Sequence, residues 1–293
     1  MPVFAVLAHT EPEILQHLVA ALTPYRVVVH IDRRANAADF AGLPRTTYIE
    51  DRISVNWSGY SIVEATVRMF EVAHRMVAPD DHIVLLSGQC YPVRPIEEFV
   101  QHLHSSPWKQ HCKSALVFDG SKYSERRLTH NWYWDDLPLR RNARSRRAVS
   151  AVRRLRGALS KRRNVTDFAP IIPVRGSQWI ALTQACMQDL LPVARSSEFI
   201  GLFKQALAPD EMFFHTLVYN SSWRSEMEFP NLVQELAQPQ GQFANFHSPC
   251  LRRPLTLDDV DDIISANMYF ARKFSGQEGL RLMEELKKIN GRA

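Results

Sequence analysis

Two adjacent carboxylates stand where a helix is expected to begin. Asp210 and Glu211 follow Pro209, which suits the first turn of a helix, and they precede the apolar run 212–217. The positive end of the helix dipole favours acids there, which is a purely structural reason for both residues. A neighbouring apolar wall would instead raise the pKa of a carboxyl group and suit it to accept a proton from a hydroxyl. The spacing favours neither interpretation.

Basic side chains form a second candidate group. Lys273 lies in the run FARKF, residues 270–274, and Arg252 and Arg253 precede it by about twenty positions. Such groups can neutralise the negative charge that develops on a leaving diphosphate, as a divalent ion would. A solvated basic face, with the lysine stem lying on apolar surface, is the interpretation that this pattern alone favours.

Residue types that could hold a metal ion show no suitable spacing. The only Asp-x-Asp pattern, residues 259–261, lies in a run of four acids that is typical of the start of a helix, where capping is the expected role. The cysteines lack the paired spacing of a zinc site or a disulfide framework; they are Cys90, Cys112, Cys186 and Cys250. The sequence therefore predicts no metal site.

The segments that must position these residues alternate between strand and helix patterns. Apolar or β-branched runs of strand length occupy 3–8, 25–31, 82–86, 114–118 and 178–183. Helical patterns at 11–22 and 60–78 separate the first three runs. This alternation predicts an α/β fold with a mostly parallel sheet flanked by helices. The length favours a single domain, 1–293, closed by a helix at about 277–289.

Polar residues follow several of the predicted strands. His9 comes after the first strand, Asp32 after the second, and the run 87–89 after a later one. Ligands of such sheets bind beyond the carboxyl ends of the strands, so these residues could build a crevice for a small polar ligand. For any single one of them, capping of a turn or helix is the stronger interpretation.

Six motifs in a fixed order resemble one known family. They are HID at 30–32, SVNWSGYSIVEA at 54–65, LLSGQCYPVR at 85–94, GSQW at 176–179, PDE at 209–211 and FARKF at 270–274. Together they resemble the core-2/I-branching β-1,6-N-acetylglucosaminyltransferase and peptide O-xylosyltransferase family, glycosyltransferase family 14. No motif is decisive alone, but the ordered set is specific and spans roughly residues 3–275.

This resemblance implies a GT-A-type, Rossmann-like fold and inverting transfer from a UDP-sugar, without a metal ion or other cofactor. N-acetylglucosamine is the family's commonest sugar, and UDP-xylose or another UDP-hexose is the alternative donor. Carried over by motif, Glu211 is the base that deprotonates the acceptor hydroxyl. Lys273, with Arg252 or Arg253, stabilises the leaving UDP.

Further site residues follow from the same resemblance. His9 and Asp32 match positions that approach the uridine, and Trp57 stands where an aromatic residue lines the nucleotide site. Gly176, Ser177 and Trp179 match the wall where donor and acceptor meet. Three residues are expected to contact the acceptor: Glu125, Arg126 and Asp210. For both tryptophans, a place in the core is the competing interpretation.

Two departures from the family pattern affect these expectations. Relatives usually have an acid where this chain has Cys90, so any polar contact of that acid is in doubt. The membrane anchor and paired cysteines of the secretory-pathway enzymes are also missing, and residues 1–10 do not form a signal peptide. The sequence therefore resembles a bacterial cytoplasmic member that acts on a glycan, a lipid-linked acceptor or a small molecule.

The basic charge of the chain is local. Eleven of the 36 lysines and arginines fall within 140–163, a segment without an acid, while the whole chain has 31 acids. Within it, apolar residues recur at helical spacing: Ala148, Ala151, Val152, Leu155, Ala158 and Leu159. This basic amphipathic insertion could lie on an anionic membrane at the inner face, pack its apolar stripe on the domain, or form a loop over the acceptor cleft.

Two other classes of protein compete with the transferase interpretation. Arginine-rich segments near tyrosine and tryptophan can bind nucleic acid, but the rest of the chain is net acidic, so no nucleic-acid partner is expected. A glycoside hydrolase needs two carboxylates on either side of one bond, and the adjacent Asp210 and Glu211 cannot take those places.

Overall fold

The computed structural model describes residues 1–136, 143–228, 245–250 and 253–291. Its strands are β1 (Val3–Ala8), β2 (Arg26–Ile31), β3 (Thr46–Tyr48), β4 (His82–Ser87), β5 (Cys90–Pro92), β6 (Ser114–Leu116), β7 (Val174–Gly176), β8 (Ala181–Thr183), β9 (His247–Cys250) and β10 (Phe270–Arg272). Its α-helices are α1 (Pro12–Ala21), α2 (Ser61–Ala73), α3 (Ile96–Ser105), α4 (Lys122–Thr129), α5 (Ala143–Leu159), α6 (Gln184–Ala194), α7 (Ser197–Phe203), α8 (Phe213–Tyr219), α9 (Val260–Ser265) and α10 (Gly276–Ile289).

A five-stranded sheet in the order β3-β2-β1-β4-β8 forms the centre of the fold. The first four strands run parallel, and β8 pairs antiparallel with β4. Strands buried on both faces need continuous apolar runs, and both β1 and β4 are almost wholly buried. The prediction of an α/β fold with a mostly parallel sheet flanked by helices is confirmed.

A second sheet, in the order β5-β10-β9, holds the segment 270–274 beside the end of β4. Within it, β10 runs antiparallel to β5, so that Arg272 faces Cys90. The N–H of Phe274 donates to the carbonyl oxygen of Gln89 at 3.0 Å, and the Gln89 amide donates back to the carbonyl oxygen of Phe274 at 3.2 Å. These bonds fix the backbone on which Arg272 and Lys273 stand.

Helix α10 stabilises this second sheet by apolar packing. Leu282, Met283 and Leu286 are buried against Phe274 and Tyr91 in a cluster separate from the main core. Burial of each such side chain contributes about 1.5–3 kcal/mol. The predicted C-terminal helix at 277–289 corresponds to α10, which begins one residue earlier.

Several elements differ in extent from the sequence prediction. The helix expected at 60–78 ends at Ala73, and a 3-10 turn, His74–Met76, follows it ahead of Pro79, because residues before a proline avoid the helical region. The strand expected at 114–118 is the short β6, which pairs with β7 outside the central sheet. Of the basic insertion 140–163, positions 140–142 lie outside the described residues.

The acidic run at 258–262 has the predicted capping role. Asp259 accepts a hydrogen bond from the N–H of Thr256 at 2.8 Å and completes a capping box ahead of α9. No helix in the described part of the chain has the length and apolar character that crossing a bilayer requires.

Gly176 allows two segments to approach each other unusually closely. A Cβ atom at this position would lie 2.2 Å from the carbonyl oxygen of Lys113 and 2.5 Å from Nε2 of His215. Because the carbonyl belongs to the paired strand region and the His215 ring is fully buried, neither can move aside easily. Only glycine fits between β6 and α8.

We therefore expect Gly176→Ala to lower the free energy of unfolding by at least about 2 kcal/mol through overpacking. Gly201, in the exposed part of α7, is the matched control because a Cβ there would meet nothing within 4 Å. Gly201→Ala should be neutral or stabilise by up to about 1 kcal/mol. Urea unfolding of the three proteins measures both effects, and equal stability of Gly176→Ala and wild type would contradict the close approach.

Candidate active site

A cleft of about 530 Å³ opens at the carboxyl ends of β1, β2 and β4. Seven of the residues proposed from the sequence line it: His9, Asp32, Trp57, Ser177, Trp179, Asp210 and Glu211. Parallel pairing explains why they meet, because it brings the ends of the three strands to one edge of the sheet. The sequence motifs from five separate regions therefore form one site.

Glu211 is held by a buried arginine. The residue ends a 3-10 turn, Pro209–Glu211, that precedes α8, so the predicted helix start is a 3-10 turn instead. Its Oε2 accepts a hydrogen bond of 2.6 Å from Nη2 of Arg127, which lies on α4. The Arg127 side chain is 8% exposed and that of Glu211 is 43% exposed. Glu211 is thus both anchored and accessible from the cleft.

Arg127 also fixes the turn that precedes Glu211. Its guanidinium donates to the carbonyl oxygens of Leu207 at 3.3 Å and Ala208 at 3.1 Å. Ala208 has φ of 49°, a left-handed conformation that L residues adopt reluctantly, and its N–H donates to the carbonyl oxygen of Ser58. Together these contacts determine where the Glu211 carboxylate points.

Asp210 has a different environment from its neighbour. Burial, and secondarily the charge of Glu211, raises the pKa of Asp210 to about 7. Its Oδ1 is shielded from water and has no hydrogen-bond partner among the described residues. The apolar wall expected from the sequence therefore acts on Asp210, whereas Glu211 forms an ion pair.

One basic side chain of the 270–274 segment, Arg272, lines the cleft, and a second, Lys273, acts electrostatically on His9. Arg272 donates from Nε to the hydroxyl oxygen of Ser87 at 3.2 Å and stacks over Trp179 at 5.0 Å from the ring centroid. Lys273 is half-buried. The burial of His9 is the main cause that lowers the pKa of His9, and the positive charge of Lys273 is the second. His9 is therefore a neutral imidazole at neutral pH.

Asp32 is engaged by its own chain. Arg34 donates to both carboxylate oxygens, from Nε at 3.0 Å and from Nη2 at 2.8 Å, and the N–H of Val55 donates at 2.9 Å. Burial alone would raise the pKa of Asp32, but the hydrogen bonds from Arg34 and Val55 outweigh it and lower the pKa. The ionised Asp32 thus ties the loop around Val55 to the end of β2.

The two proposed tryptophans have opposite environments. Trp57 is 74% exposed at the cleft, with its ring perpendicular to that of Trp134 at 5.5 Å, so the core interpretation is wrong for it. Trp179 is 5% exposed and packs against His247 at 5.6 Å between ring centroids. For Trp179 the core interpretation is confirmed, although the same residue also lines the cleft.

Comparison with protein families agrees with the motifs that meet in this cleft. The family model described as Branch, Core-2/I-Branching enzyme, matches residues 3–232. The chain belongs to the core-2/I-branching enzyme family. Members of this family are glycosyltransferases, which use a sugar donor and a glycan acceptor, and the mixed α/β fold is consistent with a GT-A-like architecture. A search of curated proteins finds no significant match.

The match ends before the 270–274 segment, whereas the resemblance expected from the motifs extends to about residue 275. The role of Lys273 in this protein therefore stays a prediction. Among the described residues, no three His, Cys, Asp or Glu side chains stand close enough together to hold a metal ion.

Some residues proposed from the sequence lie away from the cleft. Arg253 pairs with Asp259 at 2.6 Å beside α9, and Arg252 lies outside the described residues. Gly176 packs behind the wall against His215 instead of lining it. Glu125 and Arg126 line a second pocket of about 660 Å³, together with Lys122, His130, Arg162 and Arg163.

Other residues of the enzyme's cleft were not found from the sequence. The cleft-lining ones are His30, Arg34, Asn56, Ser58, Trp134, Gln178 and Arg272, and Arg127 holds the carboxylate from behind. Arg272 was within reach of sequence reasoning, because it is a basic residue of the same FARKF motif as Lys273. The contact between Arg127 and Glu211 joins positions 84 residues apart, and no local spacing indicates it.

Cys90 forms a buried contact where relatives usually have an acid. Its Sγ lies 3.1 Å from Nε2 of His247 and 3.3 Å from Oγ of Ser87. Ser87 in turn accepts the hydrogen bond from Arg272. A thiol in this enzyme therefore takes part in the polar network behind the arginine.

The raised pKa of Asp210 has a consequence for stability. Because the folded-state pKa of about 7 exceeds the ordinary 3.8, the folded protein holds this proton more tightly than the unfolded chain does. The free energy of unfolding therefore falls as pH rises from about 4 to about 7. We expect Asp210→Asn to raise Tm by a few degrees at about pH 8 and not at about pH 4.

Thermal unfolding followed by circular dichroism across this pH range tests the expectation. Asp80→Asn is the matched control, because the Asp80 side chain is 92% exposed and should show no such pH-dependent gain. A lower Tm for Asp210→Asn than for wild type at about pH 8 would mean that the carboxylate is ionised and stabilising.

Proposed function

We propose that this protein is an inverting, metal-independent glycosyltransferase that moves a sugar from a UDP-sugar to a hydroxyl of a glycan or other acceptor and forms a β-linkage. N-acetylglucosamine is the first candidate sugar, and xylose or glucose is the alternative. The observation that carries the proposal is that an anchored carboxylate, Glu211, and a cation, Arg272, line one cleft, with the charge of Lys273 acting on His9 in the same cleft.

Glu211 is suited to act as the base. Arg127 fixes Oε2, while Oε1 accepts no hydrogen bond from the described residues, and the Glu211 side chain is 43% exposed. An acceptor hydroxyl would give its proton to this carboxylate as its oxygen attacks the anomeric carbon and the bond to UDP breaks. One base on the far side of the sugar is sufficient for a single inverting displacement. Arg127 acts through Glu211 as a positioning residue.

Basic side chains would stabilise the leaving diphosphate. Arg272 is held by Ser87 and the Trp179 ring, so its guanidinium is preorganised and loses little freedom on binding. Lys273 has no ion pair within the described part of the chain, and an anionic ligand would supply the missing partner. These two charges take the place that a divalent ion has in other transferases.

The uridine would lie near the ends of β1 and β2. His9 is neutral because burial and Lys273 lower its pKa, so it can donate or accept a hydrogen bond without repelling a base. The exposed ring of Trp57 offers a stacking surface, and Asp32 holds the loop behind it in place. A cytoplasmic location, where UDP-sugars are made, is part of the proposal.

Replacement of the base should separate binding from chemistry. We expect Glu211→Gln to lower kcat by about 100-fold or more, because proton abstraction is lost, with the Kd of the UDP-sugar within about twofold of wild type. Release of UDP in the presence of acceptor measures kcat, and calorimetry measures Kd. Glu198→Gln, at an exposed position on α7, should leave both unchanged. Full activity of Glu211→Gln would show that Glu211 is not the catalytic base.

Donor binding without metal is tested by calorimetry with a panel of UDP-sugars in EDTA. We expect one UDP-sugar to bind wild type, and Arg272→Ala or Lys273→Ala to weaken it by about tenfold or more through loss of a charge-assisted contact. Arg253→Ala decides whether that exposed residue also contributes. Binding or turnover that appears only after Mn²⁺ or Mg²⁺ is added would contradict metal independence. No binding under any condition would contradict the proposed function.

A further inference from the structure

Helix α5 turns arginines towards the protein. Arg153 is 8% exposed, and its guanidinium stacks over the Trp134 ring at 4.0 Å from the centroid. Arg156 stacks over Tyr133 at 4.1 Å and pairs with Asp136 at 3.3 Å. Cation–π contacts of this kind hold the helix against the segment just before position 137.

The apolar stripe of α5 faces outward. Val152 is 50% exposed, Leu155 is 62% exposed and Leu159 is 79% exposed. The alanines of the same stripe are exposed as well: Ala148, Ala151 and Ala158. The expectation that this stripe packs on the domain is therefore wrong, because the aromatic faces of Tyr133 and Trp134 bind the arginine side of the helix instead.

This orientation of α5 is firmly fixed. Arg163, just beyond the helix, donates from Nη2 to the carbonyl oxygen of Leu128 at 2.6 Å and from Nη1 to that of Leu202 at 2.7 Å. Gly157 lies so close to the carbonyl oxygen of Asn131 that a Cβ there would be 3.0 Å away. Rotation of the stripe inward would break these contacts.

The charges beside the stripe indicate what covers it. Arg147 and Arg154 are exposed on α5, Lys161 and Arg162 follow it, and the segment 140–163 has no acid. An exposed apolar stripe flanked by arginines is typical of helices that lie in the surface of an anionic bilayer. Two copies of α5 packed face to face would bring their arginines together, so charge complementarity favours lipid over self-association.

The helix is also connected to the cleft. Trp134, over which Arg153 stacks, lines the cleft and contacts Trp57. The next residue, Asp135, accepts hydrogen bonds from Asn56 at 3.0 Å and from the N–H of Ser61 at 2.8 Å, so it joins the same loop. A surface bound by α5 would therefore lie near the opening through which an acceptor enters.

We propose that α5 docks the protein on an anionic lipid bilayer through Val152, Leu155 and Leu159, with the neighbouring arginines at the phosphates, and that the acceptor is presented from that bilayer. The docking stands by itself, whereas the statement about the acceptor rests on the proposed function.

Vesicle co-sedimentation tests the docking. We expect wild type to bind vesicles of equal parts phosphatidylcholine and phosphatidylglycerol, and to bind phosphatidylcholine alone much more weakly. Leu155→Asp with Leu159→Asp should weaken partitioning by at least about tenfold. Arg147→Gln and Arg154→Gln should each weaken it by about fivefold, and added salt should do the same. Ile289→Asp, at a 48% exposed position of α10, is the matched control and should bind as wild type does.

Two outcomes would overturn the proposal. One is equal sedimentation of wild type and the double leucine variant, or none at all with anionic vesicles. The other is a wild-type dimer in analytical ultracentrifugation that the double variant abolishes, which would make α5 an interface between copies. UDP-sugar calorimetry on the double variant should match wild type. Loss of donor binding in both proteins would contradict the proposed function while leaving the vesicle result valid.

Discussion

The ion pair between Arg127 and Glu211 is the contact on which the geometry of the site depends. A buried guanidinium requires partners, because removal of a partner leaves its charge uncompensated away from water. Here the partners are Glu211 and the carbonyl oxygens of Leu207 and Ala208. The same bonds that satisfy the charge therefore hold α4, the left-handed turn at Ala208 and the candidate base in one arrangement.

This arrangement explains how two adjacent carboxylates acquire different properties. The turn at Pro209–Glu211 directs Glu211 to Arg127 and the cleft, and leaves Oδ1 of Asp210 shielded from water. Desolvation and the charge of Glu211 outweigh the nearby cations Arg127 and Arg272 and favour the protonated form of Asp210, whereas an ion pair fixes Glu211. A neutral carboxyl group next to an anchored carboxylate can donate a hydrogen bond to an acceptor while its neighbour accepts a proton.

The sequence predicted the parts of this structure that depend on local patterns. The alternation of strand and helix patterns predicted a mostly parallel sheet. Because β1 and β2 are parallel, His9 and Asp32, which follow them, lie at the same edge of that sheet. It could not predict the contact between Arg127 and Glu211, since that pairing depends on how α4 packs. Arg253 illustrates the influence of local contacts: this basic residue, expected at the diphosphate, forms an ion pair with Asp259, six positions away along the chain.

Helix α5 shows a further limit of sequence periodicity. Spacing indicates which residues share a face, so the stripe containing Leu155 was visible in the sequence, but the direction of that face is set by its surroundings. Tyr133 and Trp134 supply aromatic faces that bind guanidinium groups more specifically than they would bind leucines. With Arg153 and Arg156 held against these rings, Leu155 and Leu159 face outward. Trp134, which lines the cleft, thus also helps to determine which face of α5 is exposed.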